Sequence, residues 1–318
     1  MKQLIFLFTP FLLCAADVDR VADLIETMRQ LTFAGDLPGA GRLAPELINE
    51  LAAPHPLAWL GWNQIGVYYV TRGKLAEAER AYLRGVKLLE RNGTGGSDMA
   101  LLLVNLSELY LTIGARNAQA EALARRALQL AEQSYPPDTP ALAHFIFTLG
   151  AAHQQSGHNK DALMHFERAL AVAGNDKDGK IRRGFILANL GVIHGRSKRW
   201  TDARDAMSQA VTLLQENLGS RHADLIPTYI NLAMIHTEFK LWDSASAALE
   251  QARTITESQL GPDHPYMVTI LECSAFLLKK TGHGAEARDR LRRAKSIAAL
   301  RPHDTVPETW IHVSDLRK

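Results

Sequence analysis

A small residue recurs at a nearly constant interval along most of this chain. The six positions are 41 to 43 residues apart, and an alanine follows each of them 12 or 13 residues later. The small residues are Gly66, Ser107, Gly150, Gly191, Ala233 and Ala275, and their alanine partners are Ala78, Ala120, Ala162, Ala203, Ala245 and Ala287. A fixed period of this length is typical of solenoids made of stacked supersecondary units. The spacing therefore predicts six stacked copies of one structural unit.

The copy between residues 229 and 265 indicates what one unit is expected to be. Leu232 and His236 lie four positions apart on one helical face, and Ala245 and Leu249 begin a second stripe with the same spacing. Lys240 and the residue after it interrupt the pattern where the chain must turn. Small side chains at such positions let two helix backbones approach closely. The unit is therefore predicted to be a pair of amphipathic helices joined by a short turn.

The residues at these positions resemble the tetratricopeptide repeat. The resemblance is clearest in Trp62, Ile65, Gly66, Tyr69, Gly73, Ala78 and Tyr82. The period exceeds the usual tetratricopeptide repeat of about 34 residues by roughly eight, and it is similar to that of the kinesin-light-chain subtype. Two signatures of that subtype, an opening His-Pro and an Asn-Leu-Ala motif, occur at His55-Pro56, His264-Pro265 and Asn231-Leu232-Ala233. The resemblance implies an all-α, right-handed superhelical solenoid of antiparallel helix hairpins.

The repeats and their flanks divide the 318 residues into four parts. We expect a signal peptide at 1–16, a degenerate N-terminal hairpin or cap at 17–53, and a C-terminal cap or tail at 300–318. Six repeats fill residues 54–299, at about 55–95, 96–137, 138–179, 180–221, 222–263 and 264–299. In the N-terminal part, two helical patterns lie around Gly35–Gly39, and Pro45 is expected near the start of the second helix, where proline is tolerated.

Residues 1–16 have the composition of a secretory signal peptide. Lys2 precedes a mostly apolar run at Leu4–Leu13, and small residues follow before Asp17. The run is shorter than the roughly 20 residues that a membrane-spanning helix needs. The pattern predicts cleavage before Asp17 and export to the periplasm or the medium. The alternatives are a buried first helix and a lipid attached at Cys14.

The composition sets mild limits on function. The net charge of +2 predicts no nucleic-acid partner, and no integral membrane span is expected. Cleavage of the signal peptide would leave Cys273 as the single cysteine, which cannot form a disulfide within the chain. We interpret Cys273 as a buried, inert thiol rather than a nucleophile.

No motif in the sequence predicts catalysis, a cofactor or a metal. The glycine-rich run at 93–97 lacks the lysine of a phosphate-binding loop. Residues 175–179 are polar, but no glutamate follows at the twelfth position of a calcium loop, so this segment is interpreted as a solvated loop. His153, His194 and His236 occupy the same position in three repeats and are interpreted as core residues. The alternative is a metal-dependent enzyme subunit that uses this histidine column.

In tetratricopeptide-repeat proteins the first helix of each hairpin lines a concave face that binds partners. The resemblance therefore implies a non-catalytic scaffold that binds a peptide or protein ligand. The lining positions predicted here are Asn63, Val67, Asn105, Glu108, Phe147, Asn189, Val192, Ile230, Asn231, Met234 and Phe276. Carboxamides donate and accept hydrogen bonds, so the asparagines could hold a peptide backbone. Two alternatives remain: asparagines that merely brace adjacent helices, and a self-associating module that stacks end to end.

Overall fold

The computed structural model describes residues 20–93 and 95–300, and within them the chain forms fourteen α-helices, one short 3-10 helix at Pro140–Leu142 and no strand. The predicted signal peptide, the predicted C-terminal cap beyond Leu300, and Thr94 in the glycine-rich run lie outside these described residues. The all-α fold expected from the repeat spacing is confirmed.

The chain divides into two compact units between Val172 and Ala173. From residue 20 onward, the first unit contains eight α-helices: α1 Arg20–Phe33, α2 Leu37–Glu50, α3 Ala58–Thr71, α4 Leu75–Arg91, α5 Ser97–Ile113, α6 Asn117–Ser134, α7 Ala143–Gln155 and α8 Asn159–Val172. Up to residue 300, the second unit contains six: α9 Lys177–Arg196, α10 Trp200–Leu218, α11 Leu225–Glu238, α12 Trp242–Gln259, α13 Pro265–Lys280 and α14 Gly284–Leu300.

Each odd-numbered helix packs most extensively against the even-numbered helix that follows it, so every pair is a helix hairpin. The first helices of successive hairpins also touch one another. In the first unit α1 contacts α3, α3 contacts α5, and α5 contacts α7. In the second unit α9 contacts α11, and α11 contacts α13. We call the helices α3, α5 and α7 the first-helix layer of the first unit.

The small residues of the period lie where the two helices of a hairpin cross. Ser107 on α5 donates a hydrogen bond of 2.7 Å to the carbonyl oxygen of Ala120 on α6. Gly150 approaches α8 so closely that a Cβ atom there would stand 2.8 Å from the ring of Phe166. Ala245 has no exposed surface. Side-chain size at these positions therefore determines how near the helix backbones come.

The turn inside most hairpins contains one residue in the left-handed region of backbone conformation. Gly157 has a φ of 79° between α7 and α8, and the equivalent residues of the second unit include Lys198 at 59° and Lys240 at 56°. The residue after each donates its N–H to a carbonyl five positions earlier, as Leu241 does to His236 over 3.0 Å. Glycine adopts this conformation without steric cost, whereas lysine does not.

Two stretches that separate predicted helices each contain the start of a helix. Asp36 caps α2 with a 2.9 Å hydrogen bond from the N–H of Gly39, and Asp176 caps α9 in the same way over Gly179. An aspartate that accepts from the third N–H beyond it satisfies one of the unpaired donors at a helix start. The break between α1 and α2 therefore ends before Leu37, and the solvated loop predicted at 175–179 is correct only for residues 175 and 176, because α9 begins at Lys177. Pro45 also lies inside α2 rather than in its first turn.

Candidate functional site

The residues predicted to line a binding face in the first unit lie on the first-helix layer. Asn63 and Val67 belong to α3, Asn105 and Glu108 to α5, and Phe147 to α7. All are buried except Glu108, which is half-buried. These helices pack most extensively against the second helices of their own hairpins and also touch one another in order. Among these five residues, Glu108 is therefore the best placed to meet a ligand.

Two of the predicted asparagines bind each other. The Nδ2 atom of Asn105 donates a hydrogen bond of 2.7 Å to Oδ1 of Asn63 and so joins α5 to α3. The Oδ1 atom of Asn105 is buried and has no hydrogen-bond partner. The Nδ2 atom of Asn105 therefore links two neighbouring hairpins, while its Oδ1 atom accepts no hydrogen bond.

Glu108 joins α5 to α7. Its Oε1 atom accepts a 2.9 Å hydrogen bond from Oγ1 of Thr148 and lies 3.6 Å from Nε2 of His144. Its Oε2 atom is buried without a hydrogen-bond partner. A carboxylate with one unpaired oxygen can accept a strong, charge-assisted hydrogen bond from a ligand.

His144 and Thr148 are absent from the predicted lining set. The sequence could have indicated Thr148, because this residue occupies the repeat position that holds Asn105 in the preceding copy. His144 lies one helical turn before Thr148, whose hydroxyl also donates 3.0 Å to the carbonyl oxygen of His144.

In the second unit the predicted lining residues pack among the helices. Ile230 and Met234 have no exposed surface, and Val192, Asn231 and Phe276 are buried. In this structure these side chains belong to the core rather than to a surface that a peptide could touch. Asn189 is half-buried, and its Nδ2 donates 2.9 Å to the carbonyl oxygen of Phe185 on its own helix.

The histidine column has a structural role in the hairpin turns. The backbone carbonyls of His153, His194 and His236 each accept the N–H that closes the left-handed turn. His153 is buried and the other two are half-buried. At His236, loss of solvation and then the charge of Arg204 lower the pKa of the imidazole. The burial of the residue fits the interpretation as a core residue at His153 and only partly at His194 and His236.

Cys273 shows no sign of nucleophilic chemistry. The thiol is buried on α13, and burial, together with the nearby Glu272, raises its pKa to about 12. A thiol that stays protonated at neutral pH is a poor nucleophile, because the thiolate is the reactive form.

Within residues 20–93 and 95–300, none of the helices is both long enough and apolar enough to cross a membrane. The sequence model of the tetratricopeptide repeat matches residues 98–175 and 184–258. These two segments are tetratricopeptide repeats, the family that the repeat positions of the sequence resemble. A search of curated protein sequences found no match.

Several solved structures are similar to the chain in fold. NprR in complex with its cognate peptide NprX aligns with a TM-score of 0.64 at 13% identity, over 90% of this chain and 83% of that one. A Rap protein complexed with Competence and Sporulation Factor aligns at 0.65 and 14% identity, over 90% and 89%. A putative kinesin light chain from Podosopora anserina aligns at 0.50 and 18% identity, over 64% and 96%. Identities this low show the fold alone.

Proposed function

We propose that the protein is a non-catalytic scaffold that binds a peptide, or an extended segment of a protein partner, on the first-helix layer of the first unit. The fold supports this proposal, since solenoids of helix hairpins present long surfaces to partners. Two neighbours in fold, NprR and a Rap protein, were solved with a cognate peptide and with Competence and Sporulation Factor.

The observation that carries the proposal is the pair of unused acceptors on α5. Oδ1 of Asn105 and Oε2 of Glu108 have no hydrogen-bond partner, and residues three apart lie on the same face of a helix. Unpaired buried acceptors cost free energy unless a donor reaches them. A ligand that fits here brings N–H donors, either main-chain amides or the cationic side chain of a lysine or arginine.

The polar contacts around Glu108 do not resemble a catalytic arrangement. The carboxylate is joined to a threonine hydroxyl and lies 3.6 Å from a histidine nitrogen. The contacts hold α5 against α7 and leave one buried carboxylate oxygen without a hydrogen-bond partner. They therefore favour recognition of a ligand over reaction with it.

The proposal is tested by selecting peptides from a random display library on the immobilised chain and measuring their affinity by fluorescence anisotropy. Glu108→Gln removes the charge with little change of shape, so we expect selected peptides to contain lysine or arginine and to bind the variant about tenfold more weakly or worse. Glu90→Gln changes an exposed glutamate on α4 and should leave the affinity unchanged. Equal loss in both variants, or none in either, would contradict binding at Glu108.

We also propose that the protein is exported, on the basis of the composition of residues 1–16. The test is N-terminal sequencing of protein purified from its natural host. Cleavage before Asp17 is the expected result, and chains that all retain Met1 would exclude a removable signal peptide.

A further inference from the structure

Four ionisable side chains meet at the turn between α7 and α8, away from the proposed peptide site. Glu121 comes from α6, His153 from the end of α7, His158 from the turn itself, and His165 from α8. Only His153 belongs to the column of histidines that the repeat spacing identifies. The other two histidines belong to the same hairpin, so the grouping is local rather than shared between equivalent positions of successive repeats.

Three of these groups have the spacing of ligands around one ion. Nδ1 of His153 lies 3.7 Å from Oε1 of Glu121, and Nδ1 of His158 lies 3.5 Å from Oε2. One potential ligand atom from each of the three residues lies within 4.8 Å of the other two. Ligands at roughly 2.0–2.1 Å in a tetrahedral zinc site lie about 3.4 Å apart. Each histidine nitrogen therefore lies near the ligand spacing from one carboxylate oxygen, His153 from Oε1 and His158 from Oε2, and a single bound ion would require the side chains to rotate toward one another.

His153 holds a ring nitrogen that has no hydrogen-bond partner among the described residues. The residue is 4% exposed, and its Nδ1 atom is buried. The distance of 3.7 Å to Glu121 is too long for a hydrogen bond. The ring of His165 stacks on that of His153, with centroids 5.2 Å apart and planes 2° apart, and so holds its orientation. An unpaired nitrogen lone pair, fixed in direction and facing a carboxylate, is suited to a metal ion.

The backbone and a second side chain pre-organise the other two ligands. Gly157 has a φ of 79°, and His158 donates its N–H to the carbonyl oxygen of His153 over 2.8 Å, which turns the chain back toward α6. The Glu121 carboxylate is held by Nη2 of Arg125, one turn along α6, at 2.8 Å. Hydrogen-bonded carboxylates are typical of protein metal sites.

We propose that Glu121, His153 and His158 form a binding site for one divalent transition-metal ion of the zinc type, which would join α6, α7 and the turn that follows. Two imidazoles and a carboxylate favour zinc and its neighbours, such as cobalt and nickel, over magnesium or calcium, which prefer oxygen ligands. Three protein ligands leave at least one position for water or for an outside group. The proposal is independent of peptide binding at Glu108.

The last hairpin supplies a matched control. His283 follows Gly282, whose φ is 88°, and donates its N–H to the carbonyl oxygen of Leu278 over 2.8 Å. Its turn therefore has the same form as that of His158, but a leucine stands where His153 would be. Replacement of His283 changes an exposed histidine in an equivalent turn without touching the proposed site.

The test uses the full chain without an affinity tag, stripped with a chelator and dialysed against Zn²⁺. We expect one ion per chain, with affinity lowered at least about tenfold by His158→Ala and by Glu121→Gln and unchanged by His283→Ala. Bound Co²⁺ should give the intense visible absorption of a tetrahedral ion, and His158→Ala should abolish it. His158 is exposed, so this variant should keep the native circular dichroism. No stoichiometric binding, or equal affinity in His158→Ala and His283→Ala, would overturn the proposal.

Discussion

Asn105 donates its side-chain hydrogen bond to Asn63 across 2.7 Å, and the two residues are 42 positions apart in the chain. This interval is one residue longer than the 41-residue period between Gly66 and Ser107, so the bond joins adjacent, rather than equivalent, register positions of two neighbouring hairpins. A carboxamide can form such a contact with its own kind because it both donates and accepts. The asparagine at this position therefore links one repeat to the next.

Asn105→Ala should lower the free energy of unfolding by about 1–3 kcal/mol. The change leaves Oδ1 of Asn63 buried without its donor, and an unsatisfied buried group costs about this much. Urea denaturation followed by circular dichroism measures the loss. Asn92→Ala, at an exposed position in the same unit, serves as the control and should change stability by less than about 0.5 kcal/mol. Similar values for both variants would mean that the contact between the asparagines is not a brace.

Ala245→Leu should destabilise α11 and α12, because Ala245 is fully buried where the two helices cross. Overpacking of this kind costs about 1–3 kcal/mol. Hydrogen exchange resolved along the chain should show faster exchange in these two helices and in α13. The matched control is Ala247→Leu, an exposed position two residues further along α12, where exchange should stay as in the unchanged protein. Unaltered protection in the Ala245 variant would show that the crossing point lies elsewhere.

Lys240→Gly should make the protein more stable than Lys240→Ala by about 1 kcal/mol. Residue 240 has a φ of 56°, which costs a residue with a Cβ atom roughly 1–2 kcal/mol and glycine very little. The greater flexibility of glycine in the unfolded chain offsets part of the gain. Thermal unfolding of the two variants compares them at the same site. A glycine variant that melts below the alanine variant would contradict the assigned left-handed turn.

Stability of the second unit should fall as the pH drops below about 6.5, the ordinary pKa of histidine. Desolvation and the charge of Arg204 lower the pKa of His236 in the folded protein, so the unfolded chain takes up the proton first. Protonation then favours unfolding until the pH passes below the folded pKa. The free energy of unfolding at pH 7.5 and 5.5 should therefore differ less in His236→Gln than in the unchanged protein. His283→Gln should retain the full difference, and an equal difference in all three proteins would exclude His236 as a cause.

The helix hairpins could be predicted because the close approach of their two helices at the crossing point requires a small side chain. Glycine or alanine at a crossing point, as at Gly150 and Ala245, can be recognised from its recurrence at a fixed interval in the sequence. The starts of α2 and α9 could not be predicted as readily. Aspartate, the residue at positions 36 and 176, is common both in turns and at helix N-caps. Only the hydrogen bond from the N–H of the third residue beyond Asp36 and beyond Asp176 shows that each is a cap.

The candidate sites were less accessible from the sequence than the fold. Register places Asn105, Glu108 and Ile230 on first helices, but it does not reveal how deeply neighbouring first helices bury them. Ile230 has no exposed surface as a result. The group of Glu121, His153 and His158 could not be predicted from the repeat pattern for another reason. His158 lies in a turn and Glu121 in the preceding hairpin, so no column of equivalent positions contains both.

Most helix contacts within each unit join elements that are neighbours in sequence, across connections of a few residues. Closing such short loops costs little chain entropy, and chains of low contact order fold quickly. Synthesis on a ribosome proceeds from the N-terminus, so the hairpin that precedes each new hairpin has already been synthesised and is available for packing. Once α8 has left the ribosomal exit tunnel, all the helices described for the first unit, α1 to α8, are outside the ribosome. We therefore expect that unit to be structured before translation is complete.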